Sequence, residues 1–422
     1  MNLFRRNKSG SNERGQILPM LAVFLVVMIL FVGLAIDLGY AYVTKANLSK
    51  AVDAAALKGM LSLGQGQAGA IAIAKSVFAA NYQSSGRDSS PPIPNVNFTT
   101  DPKTGLLQIN VSAATTINTF FARIVPSLQT VSVSDTAQTT RANVLMTLVL
   151  DRSGSMNTND GAQALPIAVQ TFLTYFSDTQ DQVALASFGS NATLDQSMQH
   201  NFTSSINRSV SGMTYIGATY ALGGLLLAQT QESANPPNVL KVVVFFTDGI
   251  ANTIEDNLSC PGYPLINYGG NAPSEGNGVW FMDPKTGNTL PGTGFNGTCG
   301  YNSPATPSCC AARTFPSQEF KTQEPFTTTF ITDDAQYRML QVASTMRTAT
   351  PPVVIYTVGL GSVTNPVFLK QLANTTDSST YNSSLPSGLY VPAPDCPGPL
   401  CVTELQQAFQ TVATDILLRL TQ

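Results

Sequence analysis

The sequence predicts an α/β protein in which a doubly wound head stands on a small α+β stalk behind one N-terminal transmembrane helix. Three patterns indicate this: a long uncharged run near the N-terminus, alternating segments in the middle, and strands alternating with helices from Asn143 onward. A chain of 422 residues has room for two or three domains. The predicted divisions are a cytoplasmic basic segment (1–14), the transmembrane helix (15–36), its helical continuation (37–80), the stalk (81–142) and the head (143–422), which carries a Cys-rich insertion at 251–330.

The composition favours an extracytoplasmic surface. Charged residues make up 11% of the chain, less than half of the roughly 25% typical of globular proteins. Ser, Thr, Asn and Gln supply the polar surface instead. The net charge of −3 leaves no basic stripe to neutralise phosphates, so we expect no nucleic-acid partner.

The uncharged run extends over 20 residues from Ile17 to Ile36, between Arg14 and Asp37. That length matches a bilayer-spanning helix. Four basic residues precede it against one acidic residue, which places the N-terminus in the cytoplasm by the positive-inside rule. The alternative is a cleaved secretory signal, but the apolar core of such a signal is about 7–15 residues long and ends at a small-x-small site. We therefore predict an uncleaved single-pass anchor.

The six cysteines all follow the anchor, which would place them in an oxidising compartment. They lack the paired C-x₂-C spacing of a zinc site, and the single histidine, His200, cannot complete a Cys/His ligand set. We expect structural disulfides rather than buried free thiols, with a connectivity that the sequence leaves open. The cysteines are Cys260, Cys299, Cys309, Cys310, Cys396 and Cys401.

Polar residues occur at particular positions along the otherwise apolar anchor and its continuation. They stand in three strings, Gly15-Gln16-x-Leu18-Pro19, Gly33-Leu34-Ala35-Ile36-Asp37-x-Gly39-x-x-Tyr42 and Ala51-Val52-Asp53-Ala54-Ala55-Ala56-Leu57. This pattern resembles the N-terminal region of TadE/TadG-like proteins of the tight-adherence (Flp) pilus assembly system. The resemblance implies a bacterial inner-membrane protein whose partners are other pilus-assembly or envelope proteins. It leaves N-terminal processing open, because neither Gly10 nor Gly15 is followed five residues later by the expected glutamate.

The stalk and the head are predicted from hydrophobic periodicity. In the stalk, a turn at Asp101–Gly105 separates two strands of a hairpin, and a further strand follows. In the head, apolar runs alternate with amphipathic helices. The predicted stalk strands are Val96–Thr100, Leu106–Ala113 and Thr130–Thr139, the head strands are Val144–Leu150, Gln182–Phe188, Leu240–Phe246 and Val353–Val358, and the head helices are Gln163–Phe176, Tyr220–Gln231, Asp333–Thr348 and Thr403–Leu420.

The most informative motif is Asp151-Arg152-Ser153-Gly154-Ser155, directly after the apolar strand that begins the head. One carboxylate and two hydroxyls around a single point are the hard oxygen ligands that a divalent ion such as Mg²⁺ takes. A second apolar strand is followed by Thr247-Asp248-Gly249. The two motifs together resemble the metal-ion-dependent adhesion site of von Willebrand factor type A domains. This resemblance implies a metal site formed by Asp151, Ser153, Ser155, Asp248 and a threonine.

The threonine has two candidates. Thr219 stands at the start of a predicted helix containing Gly224 and Leu225, which matches the threonine of the family and the helix that it opens. Thr214, ahead of Ile216 and Gly217, is the competitor. We favour Thr219. Mg²⁺ is the expected cation, with Mn²⁺ and Ca²⁺ as alternatives.

The predicted function is that of a membrane-anchored pilus-assembly protein whose metal-dependent adhesion-type head contacts other proteins or a surface. A partner carboxylate would complete the coordination of the ion. The alternative is a membrane-tethered von Willebrand module that serves a MoxR-type ATPase or acts as an envelope sensor. We predict no enzyme and no small-molecule substrate, because no Gly-x-Ser-x-Gly elbow exists and a Ser-His-Asp triad would have to use His200.

Overall fold

The computed structural model describes residues 17–420, apart from 85, 89, 235, 237, 257–265, 270–277, 282–327 and 395. The predicted cytoplasmic segment and four of the six cysteines (Cys260, Cys299, Cys309 and Cys310) lie outside the described residues. The helices are α1 (Ile17–Leu61), α2 (Gly66–Asn81), α3 (Ser155–Thr158), α4 (Gly161–Leu173), α5 (Phe202–Ser211), α6 (Ala221–Gln231), α7 (Thr328–Thr348), α8 (Pro366–Ala373) and α9 (Cys401–Leu420). The strands are β1 (Asn95–Thr100), β2 (Leu107–Asn118), β3 (Thr130–Thr140), β4 (Asn143–Asp151), β5 (Gln182–Phe188), β6 (Ala192–Gln199), β7 (Val239–Thr247), β8 (Thr253–Asp256), β9 (Ile266–Gly269), β10 (Gly278–Phe281), β11 (Val353–Leu360) and β12 (Tyr390–Ala393).

One compact unit combines α1 and α2 with the antiparallel sheet β1-β2-β3. The three stalk strands predicted from the sequence are confirmed, and β2 extends beyond the predicted end to Asn118. Ile109, Val111 and Ala113 point to the buried face of β2 because side chains of a strand alternate between its two faces.

The N-terminal and C-terminal parts of helix α1 differ in how far their side chains are exposed. Its N-terminal part exposes large apolar side chains, and it is long and apolar enough to cross a membrane. Its C-terminal part is buried at positions three or four residues apart, including Leu48, Val52, Ala55 and Gly59. A Cβ at Gly59 would lie 2.6 Å from Ile109 Cδ1 and 2.9 Å from Ala74 Cβ, so only glycine allows this close packing against the sheet and α2.

The second compact unit contains the head, a mixed sheet in the order β12-β11-β7-β4-β5-β6. All neighbouring strands are parallel except β6, which runs antiparallel to β5. The four predicted head strands are confirmed as β4, β5, β7 and β11. Their residues are buried almost throughout, as expected for parallel strands covered by helices on both faces.

Helices cover both faces of this sheet. On one face α4, α5 and α9 pack through side chains such as Phe172, Phe202 and Phe409. On the other face α6, α7 and α8 contribute Leu225, Met339 and Leu369. The predicted helices are confirmed with shifted ends, since α4 and α7 each begin earlier than predicted. The chain therefore has the predicted α/β fold, with a doubly wound head.

Several elements were not predicted. Strands β6 and β12 are edge strands, and β6 is mostly exposed or half-buried, so neither has the apolar run that marks a central strand. Pro392 lies within β12, which an edge strand tolerates. Helix α5 does have a detectable signal, because Phe202, Ile206 and Val210 are buried four residues apart.

In the predicted Cys-rich insertion, β8, β9 and β10 form a small antiparallel sheet. The disulfides predicted for this segment involve cysteines outside the described residues. The remaining two cysteines, Cys396 and Cys401, do form a disulfide at the start of α9.

A buried acidic side chain lies in the core of the head. Glu232, which caps the C-terminus of α6, is 3% exposed, and its Oε1 accepts a hydrogen bond from Thr147 Oγ1 at 2.8 Å. Lys241 Nζ donates to the backbone oxygen of Glu232 at 2.6 Å. Burial raises the pKa of Glu232 to about 8, against the opposing effects of the Thr147 hydrogen bond and the Lys241 charge.

This raised pKa makes the stability of the head depend on pH. The folded chain holds the Glu232 proton more tightly than the unfolded chain, so the free energy of unfolding should fall as pH rises from about 4.5 to 8. Glu232→Gln removes the ionisation, and we expect it to reduce the loss of stability between pH 5 and 8.5 by on the order of 3 kcal/mol. Urea unfolding at both pH values measures this. The matched control is Asp53→Asn on the exposed face of α1; an unchanged pH profile in Glu232→Gln would contradict the prediction.

Candidate metal centre

The first loop of the predicted site follows β4, a central strand of the head sheet. Asp151 is its last residue and is fully buried. The backbone N–H of Ser153 donates to Asp151 Oδ1 at 2.8 Å, so the chain turns back over the carboxylate. Ser153 Oγ and Ser155 Oγ lie 3.0 Å apart. The Asp-x-Ser-x-Ser spacing therefore brings one carboxylate and two hydroxyls together, as predicted.

The second aspartate joins this cluster from the neighbouring strand. Asp248 follows β7, and its Oδ1 accepts a hydrogen bond from Ser155 Oγ at 2.8 Å. Thr247 Oγ1 donates to Asp151 Oδ2 at 2.7 Å. Asn159 Nδ2 donates to Asp248 Oδ2 at 3.0 Å. The structure thus connects Asp151, Ser153, Ser155 and Asp248 in one hydrogen-bonded network.

The sheet topology explains why these residues meet. The strand after β4 in the chain, β5, pairs on one side of β4, whereas β7 pairs on the other side. The crevice at such a switch in strand order is where open α/β sheets bind ligands. Leu150 and Phe246 are paired in register, so the last residues of the two strands, Asp151 and Thr247, lie side by side at the edge of the sheet.

The loop that carries both candidate threonines lies against the first loop. Ile216 N–H donates to the Arg152 oxygen at 2.9 Å, and Gly154 N–H donates to the Gly217 oxygen at 3.0 Å. Gly217 has a φ of 88°, a conformation that favours glycine and permits the tight turn here.

The structure places the two candidate threonines differently. Thr219 is 5% exposed, and its N–H donates to Asn252 Oδ1 at 2.7 Å, which ties it to the loop that follows Asp248. Thr214 is exposed. The identity of the threonine ligand stays a prediction, but only the environment of Thr219 resembles that of the buried aspartates.

Sequence reasoning missed three residues that support the site. Thr247 and Asn159 orient the two carboxylates, and Asn252 holds Thr219. Thr247 could have been found, because it directly follows an apolar strand and precedes Asp248. Asn159 and Asn252 carry no sequence signal, since their roles depend on the path of α3 and of the loop after β7.

The two aspartates destabilise one another as anions. Burial, together with the nearby charge of Asp248, raises the pKa of Asp151 to about 7. Burial also raises the pKa of Asp248. Two carboxylates in a low-dielectric crevice are unfavourable without a compensating positive charge. A bound divalent cation would supply that charge.

The donor set fits such a cation. Its side chains offer only carboxylate and hydroxyl oxygens, which suit Mg²⁺, Mn²⁺ and Ca²⁺ rather than softer metals. Within the described part of the chain, no three His, Cys, Asp or Glu side chains cluster as a zinc site would require. Asp151 and Asp248 would carry the charge, and the two serine hydroxyls and Thr219 would add neutral ligands. Bound there, the ion would act as a Lewis acid toward an incoming oxygen.

The histidine required by a hydrolase lies elsewhere in the head. His200 Nδ1 is 2.9 Å from the backbone oxygen of Asp181, just before β5 begins. Asp151 pairs with Phe188 at the opposite end of β5. The structure therefore does not bring His200 to Ser153 or Ser155.

Comparison with known families confirms the resemblance to TadE/TadG-like proteins and the presence of a von Willebrand factor type A domain. Residues 146–250 match the von Willebrand factor type A domain. Residues 15–65 match the Flp pilus-assembly TadE/G-like family. The chain thus carries a TadE/G-like N-terminal segment and a von Willebrand factor type A domain that includes Asp151, Ser153, Ser155, Thr219 and Asp248. No curated protein matches the chain.

Solved structures similar to the chain include three pilus proteins. The PilB minor pilin from Streptococcus sanguinis has 15% identity and a TM-score of 0.41, covering 78% of this chain and 79% of that one. The pilus adhesin SpaC from Lactobacillus rhamnosus GG has 14% identity and a TM-score of 0.40, covering 78% of this chain and 35% of the adhesin. The vWF domain of the type V pili tip protein Mfa5 from Porphyromonas gingivalis has 17% identity and a TM-score of 0.39, covering 67% and 97%.

Proposed function

We propose that this chain is a membrane-anchored component of Flp-type pilus assembly whose head binds a protein partner through a divalent cation. The TadE/G-like match on the apolar helix supports the pilus role. The observation that carries the binding role is the network joining Asp151, Ser153, Ser155 and Asp248 at the switch point of the head sheet.

The proposed mechanism is electrostatic. Asp151 and Asp248 hold the ion, and hydrogen bonds from Thr247 and Asn159 keep both carboxylates oriented. The remaining ligands are neutral hydroxyls, so the ion keeps enough positive charge to attract an acidic side chain of the partner. Ser155 is only half-buried, which leaves that side of the cluster accessible to such a group.

The proposed topology places the head outside the cytoplasm. The helix α1 is long and apolar enough to span the inner membrane, and the basic residues before it would keep the N-terminus inside. The Cys396–Cys401 disulfide supports an oxidising location for the head.

The experiment is complementation in the bacterium that produces the chain. Deleting the gene should abolish Flp-type pili in electron micrographs, and the wild type should restore them. Asp151→Ala should restore fewer than about a tenth as many, because the loss of a charged ligand from the ion weakens partner binding by more than tenfold.

The matched control is Asp377→Ala, which removes a carboxylate that is 62% exposed on the same head and should restore normal pili. Normal pili in the deletion strain would contradict the pilus role. Normal pili with Asp151→Ala, at wild-type protein levels, would contradict the metal-dependent role alone.

A further inference from the structure

The loop between β2 and β3 is strongly apolar and exposed. Residues 119–129 contain one charged side chain, Arg123, and no acidic residue. Ile124 is 75% exposed, and Phe120, Val125 and Leu128 are each nearly half exposed. An exposed apolar patch of this kind marks a contact with another molecule or with a membrane.

This loop is fastened to α1 by a single carboxylate. Asp37 accepts three backbone hydrogen bonds, from Phe120 N–H to Oδ1 at 2.6 Å and from the N–H groups of Phe121 and Ala122 to Oδ2 at 3.0 and 2.7 Å. Asp37 itself is only 7% exposed. Such charge-assisted bonds are stronger than neutral ones, so the loop is held at one fixed height along the helix.

Phe121 also holds the loop at this position along α1. A Cβ at Gly33 would lie 2.6 Å from the Phe121 Cβ, so this side chain packs directly on the helix backbone. Of the described positions 19–36, Gly33 alone is buried. The buried stripe of α1 therefore begins inside the uncharged run, where the loop covers it.

The length of the run places this contact at the membrane boundary. Twenty residues at about 1.5 Å each extend roughly 30 Å, the thickness of the hydrocarbon core. Asp37 then lies at the boundary, and Gly33 lies about 6 Å inside it. A loop that touches both residues cannot lie clear of the bilayer.

We propose that residues 119–129 form a membrane-seating loop, which enters the lipid interface beside α1 at the C-terminal end of the span. This rests on the proposed anchoring of the chain by α1. The occupant of the apolar patch is phospholipid, because the loop contacts α1 at Gly33 and Asp37, where the neighbouring apolar side chains of the helix, Leu34, Ile36 and Leu38, are exposed.

The cations beside the loop match a headgroup layer. The guanidinium of Arg87 lies over the rings of Phe120 and Tyr40, with centroids 4.7 and 5.3 Å away, and Arg123 lies 5.9 Å from the Phe120 centroid. Aromatic rings next to basic side chains are typical of the interface between lipid tails and phosphates.

The backbone of the loop is also suited to an environment with little water. Besides the three N–H groups bound by Asp37, those of Ile124, Val125 and Leu128 donate to carbonyls within the loop. Thr119 Oγ1 donates to the backbone oxygen of Leu128 at 2.7 Å. Backbone groups that face lipid must be satisfied internally.

The test uses the full chain reconstituted in vesicles of phosphatidylglycerol and phosphatidylcholine, with lipids brominated at shallow or deep acyl positions. The only tryptophan, Trp280, is replaced by Phe, and Ile124→Trp or Thr99→Trp is added. Thr99 is an exposed control near the far end of the β1–β2 hairpin, opposite Gln108. Ten residues of β2 separate Gln108 from Asn118 at the loop, a distance of about 34 Å.

We expect shallow bromines to quench Ile124→Trp at least about twofold more strongly than Thr99→Trp, and more strongly than deep bromines do. Equal quenching at the two positions would overturn the proposal. Adding Asp37→Asn should reduce quenching at position 124, because the amide accepts the three N–H groups less well; unchanged quenching would overturn the role of Asp37 as the fastener.

Flotation of the same samples separates the two ideas. A chain that does not float with the vesicles contradicts the membrane anchoring in the proposed function. A chain that floats while position 124 stays unquenched contradicts the membrane-seating loop alone.

Discussion

Asp151→Ala is expected to abolish the stabilisation of the chain by divalent cations. Asp151 is fully buried at the end of β4. In the proposed site it would supply the negative charge that competes with water for the ion. An ion that binds only the folded chain stabilises it by mass action, by about 2.7 kcal/mol at a concentration 100 times the Kd. The Asp151→Ala variant should lose all of this stabilisation by the ion. Removing a serine hydroxyl should cost less, because each serine supplies only a neutral ligand.

The measurement is a thermal-shift titration of the full chain in detergent with Mg²⁺ and Mn²⁺, repeated by calorimetry. The wild type and the control Asp377→Ala should both show a rising melting temperature, and Asp151→Ala should show none. Asp248→Ala should weaken the response, and Ser153→Ala and Ser155→Ala should weaken it less. Asp151→Asn, which keeps the side-chain shape, is the control for misfolding of the alanine variant. A response equal to that of the wild type in both Asp151 variants would mean that the ion binds elsewhere.

Asp181→Ala is expected to lower the free energy of unfolding by about 3–5 kcal/mol, the largest loss among the substitutions proposed for this chain. Asp181 and Arg141 are 0% and 1% exposed, and Arg141 Nη2 donates to Asp181 Oδ1 at 2.6 Å. The N–H groups of Val144 and Ser177 also donate to this carboxylate, at 2.9 and 2.7 Å. Its removal leaves a buried guanidinium and two backbone donors without their acceptor, which costs far more than the attraction that is lost.

Chemical unfolding of the full chain measures this loss, with the melting temperature expected to fall by about 10 °C. The control is again Asp377→Ala, because the Lys370–Asp377 pair is 35% and 62% exposed and such surface pairs contribute about 0–1 kcal/mol. Comparable losses in the two variants would show that the burial of the Arg141–Asp181 pair does not decide its contribution.

These two sites differ in how far the sequence could predict them. The candidate metal centre could be predicted because its residues stand in short motifs directly after apolar strands, and parallel strands bring their carboxyl ends to one edge of a sheet. The Arg141–Asp181 pair could not be predicted, because forty residues separate its members and neither residue stands in a recognisable pattern.

The sequence by itself determined the long apolar helix, the central strands β4, β5, β7 and β11, the covering helices α4, α6, α7 and α9, and four of the residues that meet at the candidate metal centre. Apolar length predicts the long helix, and apolar periodicity predicts the buried strands and the buried helix faces of the head. The tertiary structure alone decided the strand order, the edge strands β6 and β12, and the contacts of Asp37 with a loop more than 80 residues away. Edge strands and long-range polar contacts depend on which surfaces meet after folding, and no local pattern of side chains records that.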